Sequence, residues 1–280
     1  GPAWSDKRFE ALGVEGVDAV ICDSTNALQA GHSVTEGRVA QGLTEAIQRS
    51  EGRVVVGCFS SNIARIQTLS QIAADTGRYL GVLGRSAAGM ANCAQQVGLF
   101  PSQFKPIHAE HLGYLPPREV LAIATGSQGE SGAALHRLVA QTHPHLSLDA
   151  GDTVILSSRT IPGNEASVAR LIEGFRARGI HVLEADSSDT PLHASGHPYQ
   201  DELRDLYQLL KPSLVVPVHG EAAHMAANAR IAKQAGASAA LTGVNGDLFY
   251  LSPVPGVRRR YAPVGRLQWC EDTERLINVK

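Results

Sequence analysis

The sequence predicts an α/β fold built on a mostly parallel sheet with helices on its faces. Three observations carry that reading. Short, continuous apolar runs rich in Val, Ile, Leu and Ala recur along the chain, as strands buried on both faces do. Segments with helical spacing separate them, and repeated strand–helix alternation implies parallel pairing. Clusters of polar residues follow the apolar runs, at the strand ends where open parallel sheets bind ligands.

The runs at 17–22 and 53–58 read as buried strands, with helical spacing at 39–48 between them. Helical spacing recurs at 63–74 and after Gly84. Further strands are expected at 120–125, 153–157, 181–184 and 214–218, and helices at 132–140, 165–177, 199–210 and 222–235. The polar, Pro-containing stretch 101–118 reads as a long excursion between strands. The tail from Ser252, with Pro253, Pro255 and Arg258–Arg260, reads as an exit linker or an edge hairpin. No internal repeat or low-complexity segment interrupts the pattern.

At 280 residues the chain holds one large domain or two ordinary ones, and 43% hydrophobic against 19% charged residues is enough to bury a sizeable core. No apolar run approaches the roughly 20 residues that cross a bilayer, and residues 1–10 lack the apolar core of a signal peptide. Cys22, Cys58, Cys93 and Cys270 form no Cys-x-x-Cys pair. Buried thiols in a reducing cytoplasm therefore fit better than disulfides or a thiolate zinc site. A formal net charge of −2 supplies no global field for nucleic acid, so any such contact depends on local groups.

Four polar clusters follow strands: Asp23-Ser24-Thr25-Asn26, Phe59-Ser60-Ser61-Asn62, Thr125-Gly126-Ser127-Gln128-Gly129-Glu130 and Pro217-Val218-His219-Gly220-Glu221. A fifth, His193-Ala194-Ser195-Gly196-His197, precedes a helix. Taken singly, such residues are more often helix caps than ligands. The stretch 125–132 has neither the dinucleotide fingerprint nor the P-loop lysine. Histidine carries more weight, because imidazole ligates metals and moves protons near neutral pH. His197 and His219 lie 22 positions apart (219 − 197), room for one helix and one strand to return to the same sheet edge.

Four of these clusters, all except that at 59–62, together with Ile161-Pro162-Gly163-Asn164-Glu165, occur in the order found in ribonuclease J, and the chain resembles that β-CASP family of the metallo-β-lactamase superfamily from about Phe9 to about Leu251. The resemblance implies a β-CASP domain at 33–190, with a partial metallo-β-lactamase (αββα) fold contributed by 1–32 and 191–255 and a linker or tail at 256–280. It implies a metal-dependent RNA phosphodiester hydrolase, a 5′-exonuclease with endonuclease action as a second mode, in the cytoplasm and with two zinc ions in the intact site. Asp23 and His197 match the family's acidic and histidine catalytic motifs, and His219 matches a histidine metal ligand. His193, Ala194, Ser195, Gly196 and His197 would cradle the scissile phosphate, and Ser61 and Asn62 another part of the RNA.

The family's His-x-His-x-Asp-His motif, a further His and a bridging Asp would all precede Gly1, and its C-terminal domain would follow the chain. The expectation is that the chain alone is inactive and holds zinc weakly, its partners being RNA, a second copy or the missing N-terminal half, and no membrane. His143-Pro144-His145 lacks the Asp-His that completes such a motif and reads as a loop. Ser131 and Ala87 depart from the family pattern without touching an implied ligand. Two other classes compete: a non-catalytic RNA-binding or subunit-like β-CASP protein, and a nucleotide-binding α/β enzyme using 125–132 for phosphate.

Overall fold

The computed structural model describes residues 5–100, 106–185, 188–270 and 275–279. The chain opens with helix α1 (Asp6–Glu15) and strand β1 (Ala19–Asp23). There follow α2 (Glu36–Arg49), β2 (Val54–Gly57), α3 (Ile63–Thr76), β3 (Tyr79–Leu83) and α4 (Arg85–Gln96). Two short 3-10 turns, Ala109–Tyr114 and Pro117–Glu119, lead into β4 (Val120–Ala124), α5 (Ala134–Val139), β5 (Thr153–Leu156), α6 (Glu165–Ala177) and β6 (His181–Glu184). Next come α7 (Gln200–Leu210), β7 (Leu214–Val218), α8 (Ala222–Gln234) and β8 (Ala239–Ala240). Two antiparallel pairs close the chain, β9 (Leu248–Tyr250) with β10 (Gly256–Arg258) and β11 (Arg266–Cys270) with β12 (Arg275–Val279). Of the expected excursion at 101–118, residues 101–105 lie outside the described residues.

Two compact units result: Val34–Ser195, and Gly1–Ser33 with Gly196–Lys280. In the unit Val34–Ser195, a five-stranded parallel sheet has the order β3-β4-β2-β5-β6. Alternation along each strand divides its core. Val54, Val56, Leu121, Ile123 and Ile155 pack on the face covered by α2, α3 and α4, while Val55, Ala122, Ala124 and Val154 pack against α5 and α6. Each full burial of a Val, Leu or Ile side chain among them stabilises by about 1.5–3 kcal/mol before chain entropy is counted. Helix α2 forms because Thr35 caps it, its side chain accepting from the Arg38 N–H, and because Val39, Leu43, Ala46 and Ile47 recur on one buried face. Asn62 caps α3 in the same way, and Gly77, at φ 69°, ends it in the left-handed conformation that glycine adopts without penalty.

In the second unit, β1, β7 and β8 form a parallel sheet of order β1-β7-β8. Leu203 and Tyr207 of α7 and Ala227 and Ile231 of α8 pack with Val215, Val20 and Cys22. The register pairs Asp23 with Val218, so the last residue of β1 and the residue before His219 end at one level.

Beyond the apolar runs, the chain makes elements that local reading does not mark: the short strands β8 and β9, the strand β3 and the helix α1. No residue of α1 is buried, which leaves it without the apolar stripe that marks a helix in sequence.

Candidate functional site

The parallel register of β1 and β7 delivers Asp23 and His219 to the same sheet edge, and the segment before α7 brings His197 to meet them. Asp23 Oδ2 accepts from His197 Nδ1 at 2.9 Å and from His219 Nδ1 at 2.7 Å. The two imidazoles stack, with centroids 5.4 Å apart and planes 22° from parallel. Among the described residues, these three form the one group of His, Cys, Asp or Glu with candidate ligand atoms gathered within 4.8 Å. His219 is the most open, its side chain 67% exposed, so an ion or substrate can reach it.

The loop after β1 fixes the carboxylate. The Thr25 N–H donates to Asp23 Oδ1 at 2.8 Å, and the Asn26 amide donates to the His197 carbonyl at 3.2 Å. From the helices, the buried Asn228 amide donates to the Asp23 carbonyl and to Ser24 Oγ, both at 3.0 Å. Asn228 Oδ1 accepts from the Tyr207 hydroxyl at 2.5 Å. Desolvation works against the Asp23 charge. The Thr25 N–H and the bond and charge of His197 outweigh it, and the carboxyl is held below its usual value. Glu202 locks the start of α7: it accepts from the Tyr199 N–H at 2.8 Å and from Ser33 Oγ at 2.6 Å.

On the other side of the trio, His219 has φ 55°, a left-handed conformation that His tolerates better than most residues. Gly220 then passes so close to Ser24 and His224 that a Cβ there would lie 2.9 Å from His224 Cβ. The trio suits a metal ion in its donor chemistry: imidazoles backed by a carboxylate are the arrangement that orients histidine ligands.

His193 lies in the unit Val34–Ser195 with Ala194 and Ser195. Its Nδ1 is buried without a hydrogen-bond partner, and burial, reinforced by the Arg65 charge, lowers its pKa. Arg65 is itself fully buried. It grips Glu36 through Nε and Nη2 at 2.9–3.2 Å and donates to the Leu192 carbonyl at 3.2 Å and to Ser157 Oγ. Ser157 Oγ donates to the same Leu192 carbonyl at 2.6 Å, so the chain entering His193 is clamped. Gly196 begins the part of the segment that belongs with His197.

Ser61 and Asn62 stand at the start of α3, where Asn62 Oδ1 is engaged in capping the Arg65 N–H at 3.0 Å. A cavity of about 840 Å³ opens at the C-terminal ends of β3 and β4, lined by Arg85, Arg137, His143 and His145 among others. The stretch 125–132 is tied up internally: Gln128 N donates to Glu130, Gly129 N to Gly126, and Gln128 Oε1 accepts from Ile161 N at 2.8 Å. Thr25, Tyr207 and Asn228 are the site residues that sequence reasoning did not assign. Thr25 stood inside a cluster already singled out, and Asn228 is a polar residue on a buried helix face.

Residues 51–175 match the family model described as "Ribonuclease J, beta-CASP domain", and residues 190–241 match the "Zn-dependent metallo-hydrolase RNA specificity domain". The chain is 41% identical over 268 residues to Ribonuclease J of Sinorhizobium meliloti, covering 95% of this chain and 47% of that one. It is 39% identical over 228 residues to Ribonuclease J of Mycolicibacterium smegmatis, covering 80% and 40%. It is 39% identical over 217 residues to Ribonuclease J of Thermus thermophilus, covering 78% and 38%. The chain thus spans less than half the length of these curated relatives. It belongs to the ribonuclease J family of the metallo-β-lactamase superfamily, of which it carries the β-CASP domain and the RNA-specificity segment.

Proposed function

We propose that this chain is part of a metal-dependent ribonuclease that hydrolyses RNA phosphodiester bonds, a 5′-exonuclease with endonuclease action as a second mode. The carrying observation is the single Asp23 carboxylate oxygen bonded to both His197 and His219. A carboxylate behind an imidazole fixes its orientation and raises its basicity. His219 holds zinc, one of two ions in the intact site, with the remaining ligands outside this chain. When bound, zinc supplies Lewis-acid activation of water and of the phosphodiester.

His197 is the proton donor at the leaving oxygen, acting from the ring nitrogen that does not face Asp23, and Asp23 stabilises its cationic form. His193, Ala194, Ser195 and Gly196 line the backbone path to His197 and bind the scissile phosphate. Ser61 and Asn62 hold another part of the RNA, for which the Asn62 amide NH₂ is the suitable donor. Arg85 and Arg137 at the mouth of the 840 Å³ cavity offer cations to the RNA backbone. The protein acts in the cytoplasm, with RNA as its substrate. Among the described residues, no helix is long and apolar enough to cross a membrane.

A chimera tests this reading, with residues 1–280 replacing the matching segment of the Sinorhizobium meliloti relative. The chimera is expected to bind zinc and to shorten 5′-monophosphorylated RNA. Asp23→Asn and His197→Gln are expected to lower kcat about 10²–10⁴-fold with little change in KM, the usual worth of a positioned proton donor. A folded, zinc-loaded chimera that retains RNA yet leaves it uncut replaces the nuclease reading with RNA binding alone. Full activity in His197→Gln removes the role given to His197.

A further inference from the structure

One side chain holds both the backbone and the ring of His219. Thr25 Oγ1 lies 3.0 Å from the His219 carbonyl oxygen and 2.9 Å from His219 Nδ1. A threonine hydroxyl has one hydrogen and two lone pairs. The His219 carbonyl and the Asp23 carboxylate, which Thr25 also bonds, can only accept, so the hydroxyl hydrogen goes to an oxygen and Oγ1 presents a lone pair to Nδ1. The hydrogen between Thr25 and the ring therefore belongs to Nδ1.

Asp23 leads independently to the same assignment. Its Oδ2 sits 2.7 Å from His219 Nδ1, and an ionised carboxylate can only accept. That oxygen also receives His197 Nδ1 at 2.9 Å, so it is shared between two donors. The one hydrogen of His219 Nδ1 thus faces two acceptors, and with Oδ2 divided between two rings Thr25 Oγ1 adds the hold that Oδ2 alone does not give. Its bond to the carbonyl also holds the left-handed backbone, φ 55°, from which the ring reaches Asp23.

We propose that Thr25 is a positioning residue that locks His219 in its Nδ1–H tautomer, leaving Nε2 as the one ring atom offered to a metal ion. In metal sites the partner of one imidazole nitrogen decides which nitrogen ligates, and here that partner is a hydroxyl two residues beyond the carboxylate. The metal consequence rests on the function proposed above; the tautomer stands without it.

The test is a long-range ¹H–¹⁵N correlation spectrum of the imidazoles in the metal-free 280-residue chain, near pH 8.5, about two units above the ordinary histidine value. Loss of one ring system in His219→Gln identifies the signals. The wild-type ring is expected to show a protonated Nδ1 and a pyridine-type Nε2. Thr25→Val is expected to mix the tautomers, drawing the two ¹⁵N shifts together, and Thr25→Ser to restore them.

A wild-type Nε2–H form overturns the proposal, as does a Thr25→Val spectrum identical to wild type. Should Thr25→Val lose its dispersed amide spectrum, Thr25→Ala is read in its place by the same criteria. Zinc chloride then separates the two readings. A zinc-dependent shift at Nε2 supports both, and one at Nδ1 overturns the lock. A ring that keeps the Nδ1–H form and ignores zinc supports the lock, and the metal role of His219 is then decided in the chimera, where His219→Gln is expected to lower the zinc bound and an unchanged zinc content counts against that role.

Discussion

Replacing Asn228 by Leu should loosen the unit that holds Asp23 while leaving the five-stranded sheet intact. Asn228 is fully buried and makes three bonds: to the Asp23 carbonyl, to Ser24 Oγ and from the Tyr207 hydroxyl. Leucine fills a comparable volume but leaves two fully buried partners, Ser24 and Tyr207, without it. A buried polar group that loses its partner costs about 1–3 kcal/mol. With some apolar contact recovered, the net loss is about 2–4 kcal/mol. At 1.4 kcal/mol per tenfold, protection falls roughly 30- to 1000-fold. Hydrogen exchange resolved by peptide reads this locally. Amides of β7 are expected to lose that protection while those of β4 and β5 keep theirs. Tyr207→Phe, which takes a partner from Asn228 Oδ1 and a weak one from the Cys22 thiol, should cost about 1–2 kcal/mol, and adding it to Asn228→Leu should cost little more, because the Asn228 partner is already gone. Equal loss of protection in β7 and β4, or a fall below about threefold in β7, refutes the network as the anchor of Asp23.

Two further perturbations probe other parts of the chain. Arg65→Met strips the buried guanidinium from Glu36, Ser157 and the Leu192 carbonyl. It should cost about 3 kcal/mol, the low end for a broken buried pair because Glu36 is 40% exposed and can rehydrate; exchange in β2 and β5 unchanged from wild type would count against the clamp. Asp247 is held down to about 2 by the N–H groups of Val244 and Arg260 and by Arg259. Its contribution to stability is therefore complete above the unfolded carboxyl value near 3.9 and is lost as pH falls through about 2. A carboxyl NMR titration of Asp247 with a midpoint above about 3.5 would contradict this.

The sheet strands that sequence reading located are those whose information is local. Val54–Gly57 and Val120–Ala124 are buried at every position, so an uninterrupted apolar run is their direct imprint. Strand β3 escaped because Gly81 breaks its run, and isolated glycine weakens a strand on local grounds. The reason for that glycine is tertiary. A Cβ at position 81 would overlap the Leu112 side chain, which packs into the same core as Val55 and Ala122. The tail from Ser252, read as an exit linker or an edge hairpin, holds β10, which pairs antiparallel with β9 just before it, and the antiparallel pair β11 and β12.

The site divides along the same line. Asp23, His197 and His219 could be singled out because polar residues at the ends of apolar strands announce themselves. Thr25, Tyr207 and Asn228 acquire meaning only where the loop after β1 meets His219 and the helices α7 and α8. The competing phosphate loop at 125–132 shows the converse. Its glycines suggest open amides, yet Gln128 N, Gly129 N and Ala133 N all donate within the loop. Those donors cannot also serve a nucleotide phosphate without breaking bonds already made, each worth about 0.5–1.5 kcal/mol net. At the Asp23 edge the balance is reversed. The hydrogen bonds there commit Nδ1 of both imidazoles, and His219, its side chain 67% exposed, keeps Nε2 for chemistry. Spent donors argue for a structural turn and an open ring nitrogen for chemistry, and that contrast sets the His219 edge apart from the loop at 125–132.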